Sequence, residues 1–81
     1  MKIKLTEKQS CRLKFIHISG EPSELFIAMN PLTGDWLQIH KIGDKESAYY
    51  GTKSAALTLA NNIVKKSAEK NLSCEIDIKN V

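Results

Sequence analysis

The chain of 81 residues is poor in the residue types from which dedicated chemistry is built. Two cysteines, Cys11 and Cys74, are too few for a disulfide scaffold and indicate a reducing, cytoplasmic setting. The two histidines, His17 and His40, have no Cys, Asp or Glu at metal-ligand spacing, so no metal site is expected. The four glycines, Gly20, Gly34, Gly43 and Gly51, are scattered among turns, which excludes a Gly-rich phosphate loop. Ser54 and Ser67 lack a local base, and Asp35, Asp44 and Glu46 sit in turn contexts, so no catalytic constellation forms. No apolar run approaches the roughly 20 residues that span a bilayer. The first eight residues alternate charge and hydrophobe, unlike a signal peptide. A non-enzymatic, cofactor-free protein is the expectation.

What is present describes one small domain over residues 1–81. The hydrophobic content of 42% suits a folded globule. Turn signals fall at 20–23, 30–35, 43–46 and 51–52. Between them the hydrophobic period is mostly two. Cys11, Leu13 and Phe15 alternate with Arg12 and Lys14 and predict a half-buried strand to about Ile18, with a bulge or burial on both sides at Phe15–Ile16. Residues 25–29 are apolar throughout and read as a strand covered on both faces. Residues 36–42 alternate again, residues 47–51 form a further short strand or its irregular end, and Ile3 and Leu5 suggest an edge strand.

A helix is predicted over residues 53–70, where Gly and Pro are absent. Ala56, Leu59, Ala60, Ile63, Val64 and Ser67 form one stripe, Thr52 is the N-cap, and Asn71 takes the left-handed C-terminal position. Residues 72–78 alternate strictly, with Leu72, Cys74, Ile76 and Ile78 toward the core. The expected fold is therefore α+β: an antiparallel sheet of four to five strands with one amphipathic helix on one face, in the order (β)βββ(β)αβ.

A four-residue loop at 31–34 pairs Met29 with Trp36, Ala28 with Leu37 and Ile27 with Gln38. This register assigns Phe26, Ala28, Leu37 and Ile39 to the face beneath the helix. It places Leu25, Ile27, Met29, Trp36, Gln38 and His40 on the helix-free face; a one-residue slip would still leave Trp36 there. The N-terminal strands or residues 47–50 folding over that face is the simpler cover. A protein–protein contact is the sharper reading, since Trp, Met and Tyr are enriched at interfaces.

The net charge is +3 and unevenly distributed. Residues 1–14 carry Lys2, Lys4, Lys8, Arg12 and Lys14 against Glu7 alone. Residues 21–46 carry Lys41 and Lys45 against Glu21, Glu24, Asp35, Asp44 and Glu46. If strand and helix end meet, Lys2, Lys4, Arg12, Lys14, Lys65, Lys66 and Lys70 form a phosphate-attracting patch, with nucleic acid bound at low salt as the alternative partner. A single arginine argues against base-specific readout.

Trp36, the run Tyr50-Gly51-Thr52-Lys53-Ser54-Ala55-Ala56 and the amphipathic stretch 72–78 give residues 26–81 a resemblance to small bacterial ββαβ proteins of uncharacterised function. That resemblance implies a fold and no chemistry, and residues 1–24 add at least one strand to it. The step 42–56 also resembles the strand-to-helix step of arm-type DNA-binding domains of tyrosine recombinases. Those domains present a basic sheet face to the major groove, whereas the middle strands here are acid-rich, so no binding residues carry over. The leading expectation is a small binding protein, a regulator or inhibitor by size class alone, acting on a protein partner or on itself through the helix-free face and avoiding membranes.

Overall fold

The computed structural model describes residues 2–80. Five strands precede and follow one helix: β1 (Gln9–Ile16), β2 (Pro22–Met29), β3 (Trp36–Ile42), β4 (Lys45–Gly51), α1 (Lys53–Glu69) and β5 (Cys74–Asn80). They form one antiparallel sheet in the order β4-β3-β2-β1-β5, with α1 across a single face. The α+β architecture read from the hydrophobic pattern is thus the one observed.

Local chemistry sets the connections. The β2–β3 loop spans four residues, closed by Asn30 N–H donating to Asp35 O at 2.7 Å, with Gly34 at φ +80°. Met29 accordingly faces Trp36 and Ile27 faces Gln38, the first of the two anticipated registers. The β3–β4 connection is a two-residue hairpin in which Gly43 adopts φ +61°, a conformation that strains any residue with a Cβ. Thr52 Oγ1 accepts from Ala55 N–H at 3.1 Å and caps α1. At the other end Asn71 stands at φ +55°. Its N–H reaches Ala68 O while Leu72 N–H reaches Ser67 O, a Schellman closure.

Several finer expectations are corrected. Residues 2–6 are not a strand. They run alongside α1, where Asn61 Oδ1 accepts from Ile3 N–H at 2.6 Å and Asn61 Nδ2 donates to Ile3 O at 3.3 Å. One amide side chain thereby satisfies both backbone groups of Ile3, and Ile3 and Leu5 enter the core. β1 keeps continuous pairing to Ile16 without a bulge. β2 is covered on one face only, since Phe26 and Ala28 remain half-buried. β5 begins at Cys74, so Leu72 stays outside it, exposed after the end of α1, and Ile78 is exposed on an edge strand.

The main correction concerns which face the helix covers. The core comprises Cys11, Leu13 and Phe15 of β1, Leu25 and Ile27 of β2, Trp36 of β3, and Ala56 and Ala60 of α1, joined by Ile3 and Leu5. Trp36 is 2% exposed and Lys53 Nζ stands 5.8 Å from its ring centroid. The face holding Leu25, Ile27, Met29, Trp36, Gln38 and His40 therefore lies beneath α1, and Phe26, Ala28, Leu37 and Ile39 lie on the helix-free side. The cause is β1. Its odd residues from Cys11 to Phe15 are apolar and its even residues include Arg12 and Lys14, so only one of its faces can go under a helix. Pairing Leu13 with Leu25 then commits β2 and β3 to the same choice.

Candidate protein-binding face

The helix-free face is built in rows, because residues directly opposite in antiparallel strands point the same way. One row runs Asp77, Arg12, Phe26, Ile39 and Ala48 across β5, β1, β2, β3 and β4. The next runs Ala28, Leu37 and Tyr50 across β2, β3 and β4. Together Phe26, Ala28, Leu37, Ile39, Ala48 and Tyr50 make an apolar surface centred on β2 and β3, with Tyr50 55% exposed at its side. A third row borders it: Glu75, Lys14, Glu24, Lys41 and Glu46, alternating in sign from one edge strand to the other.

Polar contacts hold this margin in place. Arg12 Nη1 donates to Glu24 Oε2 at 3.4 Å, and Lys14 Nζ lies 4.0 Å from Glu24 Oε1. The Arg12 guanidinium also lies over the Phe26 ring at 5.0 Å from its centroid, shielding one side of the apolar surface. A shallow depression of about 220 Å³ opens between Arg12, Glu24, Phe26, Ile39, Lys41 and Glu46. Such pairs are solvent-exposed and contribute little stability; their effect is to fix where charge sits.

The residues singled out from the sequence as protein-binding are distributed otherwise. Trp36, Gln38, Leu25 and Ile27 are buried, and Met29 and His40 are half-buried on the same covered face. The seven basic residues do not form one patch. Arg12 and Lys14 are on the helix-free face, engaged with Glu24, whereas Lys65, Lys66 and Lys70 ride on the helical side at the end of α1. Lys2 lies beside Lys53 and Asn61 along the helix, and Lys4 is exposed next to buried Ile3 and Leu5. On the helix-free face Arg12, Lys14, Lys41 and Lys79 are balanced by Glu24, Glu46, Glu75 and Asp77. Sequence reasoning assigned Phe26, Leu37 and Ile39 to the core. The signal that would have corrected it was the sharp amphipathicity of β1 and β5, which outranks the two-faced apolar hairpin β2–β3.

On the covered side a cavity of about 200 Å³ lies between the end of β1 and the end of α1, lined by Phe15, His17, His40, Ile63, Lys66 and Lys70 among others. The His40 ring lies 6.0 Å from that of Phe15, and its Nε2 is buried without a hydrogen-bond partner. Burial, reinforced by His17, lowers the His40 pKa below the usual histidine range. Burial pushes the Cys11 thiol up to about 11 and raises that of Cys74 against the opposing hydrogen bond of Ser67, which favours the protonated thiol at both positions at neutral pH. They lie four positions apart along paired strands, roughly 13 Å, too far for a disulfide. Among the described residues no cluster of three or more His, Cys, Asp or Glu could hold a metal ion, and no helix is long and apolar enough to cross a membrane.

Comparison with family models, curated proteins and solved structures returns no match to this chain.

Proposed function

We propose that the protein is a small non-enzymatic binding protein that acts through a protein–protein contact on the helix-free sheet face, in a reducing cytoplasmic compartment that suits its free thiols. The observation that carries this reading is the apolar surface of Phe26, Ala28, Leu37, Ile39 and Tyr50, bordered by a ladder of charges that alternate in sign. An apolar centre with a polar rim is the anatomy of a protein interface. Equal numbers of opposite charges suit a protein surface better than a uniformly negative polyanion.

A photo-reactive amino acid placed at Leu37, and separately at Asn62 on the exposed side of α1, tests the reading in living cells. The expected result is a covalent protein adduct from position 37 and none from position 62. No adduct at 37, or adducts of equal yield at both positions, overturns it.

A further inference from the structure

Resting on the reading that the helix-free face is a contact surface, we infer that its occupant is a second copy of this chain, docked about a two-fold axis that runs parallel to the strands between β2 and β3. The charge ladder supports this partner. Across β5, β1, β2, β3 and β4 the margin reads Glu75, Lys14, Glu24, Lys41, Glu46. A two-fold rotation about a line along the strands returns each row onto itself in reversed strand order. With alternating signs, an axis centred on any one strand sets like charges opposite each other, and an axis between two strands sets opposite charges together. Only the second kind of axis is allowed.

The apolar surface chooses among those axes. It is centred on β2 and β3, and an axis between them brings Phe26 onto Ile39 of the second copy and Ala28 onto Leu37. The same operation sets Glu24 against Lys41, Lys14 against Glu46, and Tyr50 of β4 over the start of β1. Every contact occurs twice, as a closed two-fold interface requires. Twisted sheets stack face to face at about −30°, so rows diverge away from the axis. The Glu24–Lys41 pairs, nearest the axis, are therefore the ones that fix the docking. The apolar centre supplies affinity, while the rim charges supply registration.

Four strands at about 4.8 Å spacing and seven residues at about 3.3 Å rise give a footprint of about 19 by 23 Å. Two such faces come to about 870 Å² in projection, below the ~1,200 Å² at which stable specific interfaces begin. A reversible dimer that dissociates on dilution is what that area supports.

Charge exchange between chains tests this directly. Glu24→Lys and Lys41→Glu are made separately and together, folding of each is verified by circular dichroism, and self-association is followed by sedimentation equilibrium over a dilution series. The wild type is expected to dimerise, and each single variant to associate at least about tenfold more weakly, since both symmetric pairs turn repulsive. An equimolar mixture of the two single variants is expected to recover association. In the mixed dimer positions 24 and 41 are both basic in one copy and both acidic in the other, so opposite charges meet at both symmetric contacts, while the unfavourable neighbours within each chain remain. The double variant restores the 24–41 pairs within and between copies but sets a base at 24 beside Arg12 and Lys14 and an acid at 41 beside Glu46, so it is expected to associate more tightly than either single variant rather than to equal the wild type. A wild type that stays monomeric throughout, or a mixture no better than its components, overturns the inference. If the adduct at position 37 then has the mass of a different protein, the contact face stands and self-pairing alone falls; with no adduct, both fall.

Discussion

At the scale of single residues, His40 shows how burial becomes a pH dependence. Its ring stands against Phe15, its Nε2 has no partner, and His17, Lys66 and Lys70 line the same cavity without a carboxylate among them. Desolvation first, then the charge of His17, lowers its pKa from the ordinary histidine value of 6.5. A base with a depressed folded-state pKa takes up its proton more readily when unfolded. Its contribution is therefore complete above the unfolded pKa and is lost as pH falls through the window just below 6.5. Denaturant unfolding should show stability declining with acid across that window. His40→Gln should flatten the slope there even if it lowers stability overall through the lost packing on Phe15; an unchanged slope would show that His40 is not the source.

At the scale of elements, the helix is positioned by chemistry that its own periodicity does not contain. Thr52 and Asn71 at its ends were legible in the sequence because capping is local. Asn61 was not, because its partner Ile3 lies 58 positions away. The two bonds it makes hold residues 2–6 against the helix and allow Ile3 and Leu5, 2% and 5% exposed, to seal the core that the small stripe residues leave open. Asn61→Ala leaves two backbone groups of Ile3 to find water and is expected to cost about 1–2 kcal/mol in urea unfolding. Amide exchange at Ile3 should accelerate at the same time. Retained protection at Ile3 would mean that the segment is held by apolar burial alone.

At the scale of the whole molecule, the question is which side of the sheet is core. A chain this short buries only about 60% of its unfolded surface. One helix and one short N-terminal segment cover one sheet face, and the other is left with half-buried Phe26, Leu37 and Ile39. Trp36→Ala should destabilise the monomer by about 3–5 kcal/mol, as a large buried side chain leaves a cavity. Leu37→Thr, one residue on but across the sheet, should cost less than about 1 kcal/mol in dilute protein while weakening association. Equal losses for the two would show that both faces are sealed within one chain.

The distinction between faces marks the boundary of what the sequence alone determined. The strand periods, the turn at Gly34 with its Met29–Trp36 register, the helix and both its caps, and the α+β class were legible because each rests on neighbours within a few positions. Residues 25–29 and 36–39 carry apolar side chains at both phases, so nothing local tells the hairpin which side to bury. Tertiary structure decided it by pairing Leu13 with Leu25 and Arg12 with Phe26. Burying Arg12 and Lys14 beneath a helix would cost far more than leaving Phe26 and Ile39 half-covered. The amphipathic strand therefore imposed its orientation on the ambivalent ones, and Trp36 became core while Leu37 became surface.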